Sequence, residues 1–166
     1  MLIRLETPAD HDAIRQVNRL AFGQEDEGRL VDALREQGHA RLSLVADDDH
    51  QIIGHVLFSS LPIHTSDGVV SALALAPMAV IPSRQRQGFG TALLRRGLRF
   101  CKEQGHRIVI VVGHIDYYPR FGFSPKLAEP LTCPYSGPAL MALELVPGAL
   151  KGVIGELMYP LPFQTV

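Results

Sequence analysis

The 166-residue chain lacks a charge of one sign and has few cysteines. Sixteen basic and 17 acidic side chains leave a formal net charge of −1, so no strong field favours nucleic acid or an anionic membrane as a partner. Cys101 and Cys133 have no metal-ligand spacing and are too few for a disulfide framework. No apolar run reaches the ~18–20 residues that span a bilayer, and Met1 leads directly into strand-like sequence rather than a signal peptide. We therefore expect one cytoplasmic domain over residues 1–166 that binds neither nucleic acid nor membrane.

Two common phosphate-binding motifs are also absent. No G-x-x-x-x-G-K string occurs, and a Rossmann G-x-G-x-x-G would need a third glycine at the position of Leu93. The chain has instead Q-x-x-G-x-G, from Gln85 to Gly90, between an apolar strand and an amphipathic helix. Its glycines allow close backbone approach to a ligand, and the first N–H groups of the helix have no intrahelical partner. The junction predicts a site for an anion such as a pyrophosphate, although an ordinary glycine-containing turn has a similar short string.

Hydrophobic periodicity predicts an α/β chain with alternating strands and helices. The predicted helices start near Thr7 and cover residues 26–36 and 89–104; the predicted strands cover residues 2–5, 42–46, 51–61, 69–81, 107–113, 140–146 and 153–159. The strand–helix–strand order over 69–113 predicts a parallel crossover unit. Pro77 cannot donate a hydrogen bond inside its strand, so pairing should break or bulge there. The resulting gap could admit an extended ligand.

This order of elements, with Q-x-x-G-x-G before the long helix and Y-x-x-x-G-F after the next strand, resembles the GCN5-related N-acetyltransferase (GNAT) family up to Phe123. The segment Tyr117–Phe123 and the acidic start of the second helix look like a subgroup of bacterial predicted acetyltransferases. The resemblance implies an α/β (α+β) fold with a central, mixed, mostly antiparallel twisted sheet of six or seven strands. It also implies about four flanking helices and a splay between the two middle parallel strands. An unrelated α/β domain is the alternative.

The resemblance implies acetyl-CoA as cosubstrate and no metal. The backbone of Met78, Ala79 and Val80 would bind the pantetheine arm. Main-chain N–H groups of the loop and first helical turn would bind the diphosphate; these residues are Gln85, Arg86, Gln87, Gly88, Phe89, Gly90 and Thr91. Arg84 and Arg86 would either attract the CoA phosphates or stay solvated. Tyr118, four residues before Gly122, matches the family's general acid, and its alternative role is to cover the core edge.

Acetyl transfer to an amine requires two proton movements. An amine with a lysine-like pKa near ~10.4 needs about 4–5 kcal/mol to become neutral at pH 7, so a carboxylate, histidine or water chain should accept its proton. Glu27 is the first candidate, by its match to the subgroup; an exposed charge at a helix start is the alternative. His64 and His114 are further candidates. A free tyrosine with a pKa near ~10 would protonate a thiolate of ~8.5 at a cost of about 2 kcal/mol.

Three functions remain open from the sequence. The first is an N-acetyltransferase acting on a primary amine of a small molecule or peptide, by direct attack on the thioester. The second is a CoA-binding regulatory domain without turnover, and the third is an interaction module without a nucleotide. Tyr118 favours the enzyme. The strand-rich tail could also pair with a second copy to form a homodimer.

Overall fold

A computed structural model describes residues 1–165 of the chain. Its α-helices are α1 (His11–Phe22), α2 (Asp26–Glu36), α3 (Phe89–Glu103), α4 (Pro125–Ala128) and α5 (Pro162–Thr165). Its strands are β1 (Leu2–Leu5), β2 (Ala40–Asp48), β3 (Gln51–Ser60), β4 (Ile63–Thr65), β5 (Gly68–Val70), β6 (Leu73–Val80), β7 (Ile108–Val112), β8 (Leu131–Thr132), β9 (Leu140–Glu144) and β10 (Gly155–Leu157). None of the helices over residues 1–165 has both the length and the apolar character needed to cross a membrane.

The strands form two sheets. The larger has the order β1-β2-β3-β6-β7-β9, and the smaller has the order β5-β4-β10-β8. In the larger sheet β6 and β7 are parallel, whereas β1–β2, β2–β3 and β7–β9 are antiparallel. This architecture confirms the predicted α/β class and the mixed, mostly antiparallel six-stranded sheet with one parallel pair.

The residues pack into two compact units. Unit 1 contains Met1–Ser59, Ala76–Phe100 and the carboxyl-terminal residues from Pro160; unit 2 contains Ser60–Leu75 and Cys101–Tyr159. Strand β6 therefore contributes its first three residues to unit 2 and the remainder to unit 1. The expectation of a single domain stays a prediction.

Unit 1 is a sheet with helices on both faces. Side chains of α1 and α2 pack against alternate residues of the β2–β3 hairpin, in one cluster of Ile14, Leu30, Val31, Leu34, Val45 and Leu57. On the opposite face α3 lies so close that a Cβ atom on Gly97 would be 2.6 Å from the Phe58 ring, and one on Gly54 would be 2.8 Å from Leu93. Cover on both faces explains why the middle of β3 is buried at every position. The hairpin turns at Asp49 and His50, which both have positive φ.

Unit 2 contains the parallel pair and the smaller sheet. Only Leu73 and Ala74 of β6 pair with β7, opposite Val109 and Ile110, so the ladder ends before Pro77, as its missing N–H group predicted. Strand β7 then pairs with β9 over its full length.

Three expectations about elements need correction. The strand predicted for 69–81 is two strands, β5 and β6, because residues 71 and 72 leave the ladder. The smaller sheet was not predicted as a separate sheet, since its strands of two or three residues are too short for a periodic pattern. The helix near Thr7 begins as a 3-10 turn at Pro8–Asp10 before α1.

Candidate active site

The predicted diphosphate site covers residues 85–91 in unit 1. Residues 85–88 form an exposed turn, and residues 89–91 are the first turn of α3. The helical ladder starts where the Ala92 N–H donates to the Gly88 carbonyl at 3.0 Å. The N–H groups of Phe89 and Gly90 therefore precede the ladder and point out of the helix end, which is also the positive end of its dipole. A Cβ atom on Gly88 would meet nothing within 4 Å, so the space above the loop is open. Open space and outward N–H groups are features that an anion site at a helix N-terminus requires.

Two glutamine side chains hold this loop in shape. Gln85 Nε2 donates to the Val80 carbonyl at 2.9 Å, and Gln87 Nε2 donates to the Ser83 carbonyl at 3.1 Å. Between them Arg86 has a φ of 61°, in the left-handed region that non-glycine residues rarely occupy. Such a conformation costs of order 1–3 kcal/mol and persists where neighbouring bonds enforce it. Gln85 and Gln87 therefore hold the backbone conformation of the loop through their side-chain amides.

Arg84 is already partnered in this structure. Its Nη2 donates to Asp48 Oδ2 at 2.5 Å, and its guanidinium lies 5.4 Å from the centre of the Phe89 ring. The same ion pair lowers the pKa of Asp48. The sequence did not predict this contact, because Asp48 at the end of β2 is 36 positions from Arg84. The exposed Arg86 is the more accessible cation for a phosphate.

The end of β6 has backbone groups on two sides, one toward β3 and one away from it. The Ile81 N–H donates to the Ile53 carbonyl of β3 at 2.9 Å. The backbone N–H and C=O groups of successive residues in a strand point to opposite sides. Those of Ala79, two residues before Ile81, therefore point toward β3, and those of Met78 and Val80 point away from β3. The Val80 carbonyl confirms this direction, since it accepts from Gln85 instead of from β3.

Tyr118 belongs to unit 2, at the first position of a 3-10 turn over Tyr118–Phe121. The turn ends at Gly122, with a φ of 97°. The Tyr118 ring packs edge-on against Tyr117 and Phe123, with ring centres 5.2 and 5.7 Å apart. Only 8% of the residue is exposed, and this burial, with a smaller contribution from Tyr117, raises the pKa of the phenol to about 12. The hydroxyl is therefore a neutral hydrogen-bond donor at pH 7.

The candidate bases have different surroundings. Glu27 is half-buried at the start of α2 and accepts from Gln24 Nε2 at 2.9 and 3.3 Å; the two line a small pocket of about 200 Å³ with Asp26 and Leu30. In unit 2, His64 is exposed on β4. His114 is also exposed, and its carbonyl accepts the N–H groups of both tyrosines at 117 and 118, at 3.1 and 3.2 Å. Glu27 thus belongs to unit 1 with the loop, and the two histidines belong to unit 2 with Tyr118.

A metal site is not apparent. Within the described part of the chain, no group of three or more His, Cys, Asp or Glu side chains is arranged to hold a metal ion.

A buried histidine was missed by the sequence analysis. His55 on β3 is fully buried in unit 1, with Ser43 Oγ 2.9 Å from its Nε2 and Asn18 Nδ2 3.4 Å from its Nδ1. Burial, with a smaller effect of Arg35, lowers its pKa from 6.5 to about 3. The ring is therefore neutral, and its role is structural.

The chain as a whole is similar to known acetyltransferases. A family model described as an acetyltransferase (GNAT) domain matches residues 2–125. The uncharacterized N-acetyltransferase YhbS of Escherichia coli K12 is 36% identical over 162 residues, which cover 96% of each chain.

Solved structures with a bound ligand show the same fold. The crystal structure of Escherichia coli YhbS in complex with CoA has a TM-score of 0.91 and 35% identity, and the match covers 98% of this chain and 91% of that one. A GNAT family acetyltransferase from Brucella melitensis in complex with acetyl-CoA has a TM-score of 0.82 and 34% identity, with coverage of 98% and 97%.

Proposed function

Since the chain belongs to the GNAT family of N-acetyltransferases, we propose that it transfers the acetyl group of acetyl-CoA to a primary amine of a small molecule or a peptide. The amine attacks the thioester carbon directly, so that a C–N bond forms as the C–S bond breaks. Support comes from the CoA and acetyl-CoA complexes of the two relatives. The observation that carries the proposal is the loop and first helical turn at residues 85–90, whose open surface at Gly88 and outward N–H groups of Phe89 and Gly90 suit a diphosphate.

When bound, acetyl-CoA supplies an activated acetyl thioester. The N–H groups of Gly88, Phe89 and Gly90 bind its diphosphate, and the outward peptide groups of Met78 and Val80 bind the pantetheine amides. The Val80 carbonyl must then exchange its Gln85 donor for a ligand donor, or accept from both, which a carbonyl oxygen with two lone pairs can do.

Tyr118 acts on the departing sulfur as a hydrogen-bond donor. With a phenol pKa of about 12 against ~8.5 for a thiol, complete proton transfer would be uphill by about 3.5 units, or roughly 5 kcal/mol. This is more than the ~2 kcal/mol expected from an unperturbed tyrosine. The phenol therefore keeps its proton and stabilises the developing thiolate by a hydrogen bond, and the released thiolate takes its proton from solvent.

The amine must lose a proton before or during attack. Glu27 is the first candidate to accept it, directly or through a water, because its carboxylate is half-buried in a small acidic pocket. His64 and His114 are the alternatives. An acidic pocket also favours an acceptor that carries a positive charge in its free form.

Binding is tested with two matched glycine variants. Gly88 and Gly105 have φ values of 89° and 88°, and a Cβ atom on either would meet nothing within 4 Å. Alanine at either position therefore introduces the same strain of about 1–2 kcal/mol, but only Gly88→Ala distorts the diphosphate loop. We expect Gly88→Ala to weaken acetyl-CoA binding about tenfold or more, as measured by calorimetry, and Gly105→Ala to leave it unchanged. Equal affinities of the two variants would contradict the loop assignment.

Turnover is tested by release of the CoA thiol with a panel of amines, including diamines, amino acids and short peptides. We expect Tyr118→Phe to lower kcat about 10²-fold while the Kd of acetyl-CoA stays the same. Saturating acetyl-CoA, at ~100 times its Kd, should stabilise both proteins by about 2.7 kcal/mol. Stabilisation without thiol release from any amine would favour the regulatory domain. No stabilisation at all would favour the interaction module.

The cytoplasmic location, the homodimer and the absence of nucleic-acid and membrane partners stay predictions.

A further inference from the structure

Gly113 follows the last residue of β7 and lies against one edge of the Tyr118 ring. A Cβ atom on Gly113 would be 2.5 Å from Cε2 of the tyrosine ring, 3.1 Å from Cδ2 and 3.5 Å from Cζ, the carbon that carries the hydroxyl. Ordinary contacts of a Cβ atom begin at 3.4 Å. Any side chain at this position would therefore require the near edge of the ring to move by about 0.9 Å.

The backbone conformation does not explain the glycine. Gly113 is not among the residues with a positive φ, so other residues could adopt its backbone angles. What excludes a side chain is the tyrosine ring.

Neither partner can move aside easily. The Gly113 N–H donates to the Ala139 carbonyl at 3.1 Å, which continues the ladder of β7 with β9. The Tyr118 ring is also in edge contact with the rings of Tyr117 and Phe123. Because packed interiors transmit such displacements, a methyl group at 113 should shift the phenol rather than the strand.

We propose that Gly113 is a positioning residue for the leaving-group step: it leaves the space that sets where the Tyr118 hydroxyl meets the departing sulfur. This inference rests on the proposed function and adds a determinant of it that lies directly after β7 rather than in either motif. Displacement of a reacting group by about 1 Å can cost about 10²-fold in rate.

The test compares Gly113→Ala with Gly97→Ala. The second variant also forces a methyl group against an aromatic ring, with a Cβ atom 2.6 and 2.9 Å from Phe58, but it leaves Tyr118 untouched. We expect Gly113→Ala to lower kcat about 10²-fold with the KM of acetyl-CoA unchanged. Gly97→Ala should lower stability and keep kcat per folded molecule. Loss of activity in both variants in proportion to the unfolded fraction would overturn the proposal.

A double-mutant cycle separates positioning from a general structural effect. In the Tyr118→Phe background, Gly113→Ala should have no further effect on kcat, because no hydroxyl remains to be positioned. A full additional loss of about 10²-fold would overturn the proposal. NMR of the folded protein labelled with 13C-tyrosine gives a readout without turnover: the Tyr118 ring signals must shift in Gly113→Ala and stay in place in Gly97→Ala.

The outcomes distinguish this inference from the proposed function. Wild-type kcat in Tyr118→Phe would remove the tyrosine from the mechanism and the inference with it. An impaired Tyr118→Phe beside a fully active Gly113→Ala would overturn the inference alone. If Gly113→Ala does not fold, removal of the Tyr118 ring should restore folding. The double variant with Gly113→Ala and Tyr118→Ala must then be as stable as the single variant Tyr118→Ala. Failure of that rescue would show that the ring is not what excludes a side chain at position 113.

Discussion

The buried histidine of unit 1 makes the stability of the protein depend on pH. His55 has a pKa of about 3 in the folded chain against 6.5 when free, so between these values the unfolded chain binds a proton that the folded chain does not. Its contribution to stability is therefore complete above about pH 6.5 and is lost as the pH falls toward 3. The loss is about 2 kcal/mol at pH 5 and approaches 5 kcal/mol when both states are protonated, because each unit of pKa difference is worth about 1.4 kcal/mol.

The measurement is urea unfolding followed by far-UV circular dichroism, which suits a chain without tryptophan. The control is His55→Gln, since a neutral amide can still hydrogen-bond to Ser43 and Asn18. Subtracting the two profiles removes the carboxylates that titrate in both proteins. We expect the free energy of unfolding of the wild type to fall relative to that of His55→Gln by up to about 1.4 kcal/mol per pH unit below pH 6.

Parallel profiles of the two proteins would refute the reasoning, because the histidine would then have the same pKa in both states. If His55→Gln does not fold, NMR of the wild-type imidazole decides the matter. The His55 ring signals should not titrate down to about pH 5, whereas a free histidine titrates near ~6.5. A normal titration in the folded protein would contradict the structure's account of its burial.

Three further predictions concern single contacts. Asp48→Asn should free Arg84 for a phosphate of the ligand. Because surface ion pairs are weak, we expect the Kd of acetyl-CoA at low salt to fall by no more than about fivefold. Calorimetry should find that this gain in affinity disappears at high salt, and an unchanged Kd at low salt would contradict the prediction. Asp10→Asn should lower the free energy of unfolding by about 2 kcal/mol at pH 7. The reason is that Arg4, which donates to both oxygens of the Asp10 carboxylate, lowers the pKa of this carboxyl from 3.8 to about 2. The difference from wild type should vanish as the pH falls to about 2, and a pH-independent difference would show that the charge is not the cause. Gly97→Ala should lower the free energy of unfolding by about 1 kcal/mol. The clash of the new methyl group with Phe58 costs about 1–3 kcal/mol, and the higher helix propensity of alanine offsets about 1 kcal/mol of this cost. A variant more stable than the wild type would refute the tight packing of α3.

Local patterns predicted the elements that depend on neighbours in sequence. Helix α2 has the predicted bounds, and α3 starts at the predicted Phe89, because periodic apolar residues and glycines act within a few positions. The break in pairing before Pro77 followed from a missing N–H group. The loop from Gln85 to Gly90 was recognisable for the same reason: its glycines and the first helical turn are consecutive in the chain.

The sequence by itself therefore determined the class of fold and indicated a candidate diphosphate loop and a candidate acid. Only the tertiary structure decided how those residues are held. Arg84 meets a carboxylate 36 positions earlier, the neutral imidazole of His55 meets an asparagine 37 positions earlier, and the glycine that follows β7 limits the Tyr118 ring. These contacts join residues that different elements contribute, and a pattern with a period of two or four residues contains no information about them.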